Sequence, residues 1–236
     1  MLDDLVARAI EQAEHSTAPV RAAVLLRVAR VETAVNPSTA RNTFDRGLDA
    51  IRRLPGLDGE FLLEQAALIA AMVAPDLLSG MPGLAPPDFF ETTVLEVMLD
   101  HGHLKQAVSR LMHHEDIAEF PFGMMHVVIR RVSDLDVRLA LLRRAIEAWR
   151  NAPPYDPMKP PGDEFIQLFQ SEWNTLPRAE ALTVVREIVN ITVEQPERPM
   201  MASYADGAVE ITSWRAHVFF EILHILRHLD PELAER

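Results

Sequence analysis

The chain has no cysteine. That excludes disulfides, thiolate nucleophiles and cysteine-held metals, and leaves any metal site to histidines and carboxylates. Lysine is nearly absent too: 21 of the 23 basic residues are arginine. Arginine favours two-pronged pairing with carboxylates over point-charge contacts, and so strong a bias reads as a genomic base-composition effect, as in bacteria. Positive charge is short overall. The net charge is −12, with 10 basic and 17 acidic groups in residues 1–118 and 13 and 18 in residues 119–236. A binder of the phosphate backbone needs a positive footprint, so nucleic acid is not an expected partner. Long apolar runs are missing as well. The longest, Ala66 to Ala74, is about half of what a membrane helix needs. The N-terminal M-L-D-D-L-V-A-R-A-I has no basic region followed by an apolar stretch, so no signal peptide is expected. The expected setting is the cytoplasm. No G-x-S-x-G, P-loop, G-x-G-x-x-G or H-E-x-x-H occurs, which leaves a serine nucleophile unsupported and no cofactor implied.

What is present is helical pattern. The 236 residues, 48% apolar and 25% charged, suffice for a sizeable core in one all-α domain spanning 1–236. Apolar residues recur at helical spacing nearly everywhere, and no run alternates as a strand would. The first helix is expected at 2–15. Thr17-Ala18-Pro19 opens a second, with Pro19 where its missing N–H costs nothing. It ends at Asn36-Pro37, and Ser38 is a suitable cap for a third, Thr39 to Leu54. Helices follow at Glu60–Ala74, Asp88–Asp100, His103–His113, Phe122–Val132, Leu135–Arg150, Asp163–Thr175, Arg178–Val193 and 208–229. Asp206-Gly207 precedes a helical pattern and is read as loop.

The breaks within successive pairs fall near Pro37, Pro75, His101, Asp134 and Pro177, a mean period of about 35 residues. The stretch V-L-L-R-V-A-R-V-E-T-A-V-N-P-S-T-A-R-N-T-F-D-R-G-L-D-A-I, residues 24–51, is a helix, an Asn-Pro turn and a second helix carrying Ala40 and Phe44. It resembles one unit of a helical-repeat protein of the tetratricopeptide or HEAT type. As architecture the resemblance covers 18–194, and it carries over no functional residues. It implies stacked antiparallel helix pairs, an α-solenoid-like scaffold that binds partners. A non-repetitive helical bundle is the alternative.

Two proline-rich loops stand out, residues 151–162 and 195–207. They hold the chain's only tyrosines, Tyr155 and Tyr204. An antiparallel hairpin turning at Pro177 would place both loops at the same end, so Tyr155, Met158, Met200 and Tyr204 form a candidate contact edge. A second candidate is the basic patch over 130–150, where six arginines face three acids. Arg131 and Arg138 are its expected contact residues for an acidic peptide or phosphate. Asp134 and Arg138 also form a favourable i, i+4 pair.

His217, Glu221, His224 and His228 fall within a sector of about 60° on one helix. His-x-x-x-His and Glu-x-x-His spacings occur in metal-binding bundles. Carried backward, the same wheel brings in Asp206 and Glu210, opposite the apolar Val218, Phe219, Ile222, Leu223, Ile225, Leu226 and Leu229. The histidines thus read as the polar side of an amphipathic helix, with metal binding as the competing reading. His103 and His114 are about 16 Å apart along a helix, too far for one metal, and turn and cap roles suit His101, His103, His113, His114 and His126. The paired acids Asp3-Asp4 and Asp163-Glu164 suit helix starts, and Glu115-Asp116 suits a solvated loop. Phe61, Phe89, Phe90, Phe165, Phe169, Trp149, Trp173 and Trp214 are expected in the core.

The functional expectation follows from the architecture: a non-enzymatic module that binds another protein or peptide. The alternatives are a metal-dependent helical-bundle enzyme with a histidine site, or a binder of an apolar small molecule between helices.

Overall fold

The computed structural model describes residues 2–54, 57–80, 88–118, 120–152, 161–194, 196–197, 199–204, 207–211 and 213–235. These form twelve α-helices, two short 3-10 turns and one β-hairpin. Apart from that hairpin, the regular structure of the described residues is all helical. It divides into two compact units, Met1–Arg110 and Leu111–Arg236.

Unit 1 holds α1 (Leu2–Glu14), α2 (Ala18–Glu32), α3 (Pro37–Ile51), α4 (Leu57–Val73), a 3-10 turn at Pro75–Gly80, α5 (Asp88–Asp100) and most of α6 (Leu104–Met112). Its tightest packing is α2 on α3, where the buried Ala22, Leu25, Leu26 and Ala29 meet the buried Ala40, Phe44, Gly47 and Leu48. Small residues let the two backbones approach. A Cβ on Gly47 would lie 3.3 Å from Leu25 Cβ and from Leu26 Cδ2. The cap of α3 is Asn36 and not Ser38. The Asn36 side chain accepts from the Thr39 N–H, and the Ser38 hydroxyl donates to Asn36 Oδ1 at 2.8 Å. Asn36 wins because Pro37 fills the first helical position, moving the cap one residue earlier than Pro. Arg21, in the first turn of α2, donates to the carbonyls of Ala13, Glu14 and Ser16, which the end of α1 leaves open. α4 packs on α2, α3 and α5. Between α5 and α6, Gly102 takes a φ of 78° and the His103 N–H reaches the Met98 carbonyl at 2.8 Å. This left-handed helix stop is one that glycine adopts without strain.

Unit 2 holds the end of α6, then α7 (Phe122–Arg131), α8 (Leu135–Asn151), α9 (Pro161–Glu172) with a 3-10 turn at Trp173–Thr175, α10 (Arg178–Glu194), β1 (Met200–Tyr204), β2 (Gly207–Ile211), α11 (Trp214–Leu229) and α12 (Pro231–Ala234). α9 packs against α7, α8 and α11, and α11 against α10. Aromatic rings run through the core. Phe120 lies 4.9 Å from Phe122, Phe122 is 5.7 Å from Phe165, and Trp149 stacks on Phe165 at 4.5 Å. Such pairs add to plain area burial. Phe165, Phe169 and Trp214 are buried as expected, and Trp149 and Trp173 are half-buried. Phe61 is not in the core: it is 63% exposed. Phe89 and Phe90 lie in the first turn of α5, their side chains outside the described residues. The first turn of α7 is capped from afar. Pro121 has no side-chain acceptor, and Glu164 of α9 accepts from the Gly123 N–H at 3.0 Å.

The hairpin corrects the expected loop at 195–207 and the expected helix start at 208. β1 and β2 pair antiparallel from Met200 with Ile211 to Tyr204 with Gly207. Asp206-Gly207 is a known hairpin dipeptide, but Met-Met-Ala-Ser before it has little β preference and Ala-Val-Glu-Ile after it continues a helical apolar pattern. α11 starts only at Trp214, where Ser213 caps it by accepting from the Ala216 N–H at 3.0 Å. No helix among the described residues is long and apolar enough to cross a membrane.

Candidate functional site

A shallow, open groove within unit 2 runs along the outside of α8. This helix begins at Asp134, whose carboxylate accepts from the N–H groups of Asp136 (2.9 Å) and Val137 (3.2 Å). It buries Leu141, Leu142, Ala145, Ile146 and Ala148. Another stripe faces outward at helical spacing: Asp136, Leu139, Ala140, Arg143, Arg144 and Glu147. With Met112 these residues line a groove of about 440 Å3. Leu139, Ala140 and Met112 give it apolar lining, and the charged groups give it walls. That is the composition of a binding groove: apolar surface for affinity and a few fixed polar groups for orientation.

The wall is built by long-range contacts. Arg144 donates to the His114 carbonyl at 2.6 Å and to Glu147 at 3.0 Å. Its guanidinium lies 5.6 Å from the centre of the Phe120 ring, a cation–π contact. Among the described residues its buried Nε has no hydrogen-bond partner. Arg143 grips Glu180 of α10 with two prongs, Nε to Oε1 at 3.0 Å and Nη2 to Oε2 at 2.8 Å. Those bonds raise the pKa of Arg143 and hold the Glu180 carboxyl below its usual range. Asp136 is exposed at the N-terminal end of the groove.

The basic patch over 130–150 is therefore spent largely inside the fold. Arg150 binds Glu187 of α10 at 2.8 and 3.1 Å. Arg138 does not pair with Asp134 as expected. It donates to Glu172 at 2.5 Å, and the Glu172 side chain is only 6% exposed. Asp134 is occupied as the helix cap, and a nearly buried carboxylate is the stronger draw for a cation. Arg131 is exposed in the last turn of α7, where a cation suits the helix end.

Of the contact edge assigned to the proline-rich loops, only the β1 residues are described. Tyr155 and Met158 lie outside the described residues. Met200 and Tyr204 are at opposite ends of β1, their backbones paired with Ile211 and Gly207.

On α11 the structure brings His217 and Glu221 together. His217 Nδ1 lies 4.0 Å from Glu221 Oε1, His224 is exposed, and the His228 ring sits 5.2 Å from Trp173. Asp206 and Glu210 do not extend the stripe, because α11 begins after them and Glu210 pairs with Met201 in the hairpin. Among the described residues no group of three or more metal-ligating side chains is placed to hold an ion. Of the other histidines, His126 lies inside α7, away from any turn, whereas His101 and His103 bond carbonyls at helix ends. His101 Nδ1 is 2.9 Å from the Val97 carbonyl, and His103 Nε2 is 2.8 Å from the Met72 carbonyl.

The groove residues Met112, Asp136, Leu139, Ala140 and Glu147 do not stand out in the sequence. Their signal is there in part, as a mixed apolar and charged stripe on α8 at i, i+3, i+4, i+7. Met112 comes from another helix and carries no local signal. Comparison with protein families, with characterised proteins and with solved structures gives no match for this chain.

Proposed function

We propose that the chain is a non-enzymatic, α-solenoid-like module of stacked helix pairs that binds a protein or peptide, with the α8 groove as its contact site. One observation carries the reading: arginine–carboxylate bonds recur between residues one repeat apart. Arg41 binds Asp76, 35 residues on. Arg143 binds Glu180 and Arg150 binds Glu187, each 37 residues on. Those separations match the mean period of the sequence. They are what side-by-side equivalent helices in neighbouring pairs would give. Within each unit, non-consecutive helices also pack together, α2 on α4 and α7 on α9. Stacks of this kind expose continuous grooves, and a stripe such as that on α8 suits an extended or helical segment of a partner.

Panning a random-peptide library against the purified protein tests the reading. Ala140→Trp fills the groove and serves as the counter-selection. Enriched peptides should bind the native chain and lose at least about tenfold in affinity for the variant, a difference of about 1.4 kcal/mol. No enrichment, or peptides indifferent to Ala140→Trp, would count against the groove.

A further inference from the structure

Charge along the α8 groove is unevenly matched. Asp136 and Glu147 stand eleven residues apart on one helix. At about 100° and 1.5 Å per residue they share a line along α8, within about 20° of each other and about 16 Å apart. Leu139 and Ala140 lie between them, and Met112 joins from α6. Both arginines of the lining are already engaged. Arg143 grips Glu180. Arg144 bonds the His114 carbonyl and one oxygen of Glu147, Oε2. The exposed Asp136 carboxylate meets no cation among the described residues, and the Glu147 side chain is 63% exposed. An arriving segment therefore finds an apolar floor with an unmatched carboxylate at one end and a half-engaged one at the other.

We infer that the segment this groove takes is a basic amphipathic helix, with cations at i and i+11 and apolar residues at i+4 and i+7. The inference rests on the groove reading and names its partner class. Spacing selects the helix. In a helical segment, residues i and i+11 fall within about 20° of one another and about 16 Å apart, repeating the separation of the two carboxylates. Positions i+4 and i+7 share that face and sit over Leu139, Ala140 and Met112. An extended segment does not match. Its side chains share a face only at even offsets, about 13 Å apart at i+4 and about 20 Å at i+6. Charge selects the sign. The lining arginines are occupied, so an acidic segment meets Asp136 and Glu147 as like charges, and repulsion excludes it. The net charge of −12 also favours encounter with a basic segment at low salt. Exposed ion pairs are weak, so each cation contributes about threefold in affinity and the two together about tenfold. The apolar contacts are the same in either case; the carboxylates set selectivity and register.

Three labelled alanine-rich helical peptides, titrated with the full chain by fluorescence anisotropy, test it. All carry leucines at i+4 and i+7. The first has lysines at i and i+11, the second has glutamates there, and the third has the same lysines moved to i+2 and i+9, on the opposite face. At low salt the first should bind about tenfold more tightly than either of the others, and the preference should vanish at about 1 M salt, where the screening length is about 3 Å. These comparisons use the native chain, so they stand whatever a substitution does to folding. The double variant Asp136→Lys, Glu147→Lys should reverse the order of the first two peptides. If the peptides bind and Ala140→Trp blocks them, yet the glutamate peptide is equal or tighter, this inference falls while the groove reading stands. Displaced lysines that bind as well as aligned ones overturn the helical register in the same way. If none of the three binds the native chain, both readings fall.

Discussion

Removing Arg110 should expose how much unit 1 depends on one ion pair. Arg110 of α6 grips Glu91 of α5 with two prongs, both 2.7 Å long, and the Glu91 side chain is only 5% exposed against 24% for Arg110. Arg110→Met keeps most of the stem and deletes the charge. It leaves a nearly buried carboxylate without its guanidinium. Breaking a fully buried pair costs about 3–5 kcal/mol. The arginine side is a quarter exposed, so water partly replaces it, and we expect about 2–3 kcal/mol. For a chain of this size that lowers Tm by about 5–10 °C. Urea unfolding followed by far-UV circular dichroism at about 25 °C measures the loss directly, as a fall in midpoint at constant slope. The double replacement Glu91→Leu, Arg110→Met removes both charges. It should recover most of the loss, because the desolvated carboxylate is gone. A single variant costing less than about 1 kcal/mol, or a double variant no more stable than the single, would refute the reasoning.

Two further outcomes follow from geometry. Gly47→Ala adds a methyl group 3.3 Å from Leu25 Cβ, an atom fixed to the α2 backbone. Overpacking should outweigh the gain in helix propensity and cost about 1 kcal/mol, read as a lower urea midpoint. Glu180 has a lowered pKa in the folded chain, chiefly because Arg143 donates to it. A depressed carboxyl contributes stability that is complete above its unfolded pKa and lost as pH falls through the folded one. A double-mutant cycle on Arg143 and Glu180 should therefore show coupling at neutral pH and none at strongly acid pH. Coupling that persists in acid would contradict the assignment.

Most of the helical framework is legible in the sequence because its punctuation is local. Pro37, Pro75, Gly102, Asp134 and Pro177 all stand at or within a residue or two of a break between helices, and each acts through its own backbone or cap. What stays hidden depends on residues far apart in the chain. Asp134 and Arg138 suit each other at i, i+4, but Glu172 lies 34 residues away and takes the arginine. The cap of α7 comes from Glu164, 41 residues from Gly123. The α8 groove needs Met112 from a preceding helix. The polar stripe on α11 differs from expectation for another reason. A helical wheel assumes a helix, and extending it to Asp206 and Glu210 carries it across a hairpin that two five-residue strands announce only weakly.

The bonds from Arg143 to Glu180 and from Arg150 to Glu187 share one offset, and that equality has a mechanical meaning. Two rungs with equal spacing on both rails act as a ratchet set at a single tooth: sliding α10 along α8 by a turn would break both at once. The relative position of the helices is thereby indexed by side chains.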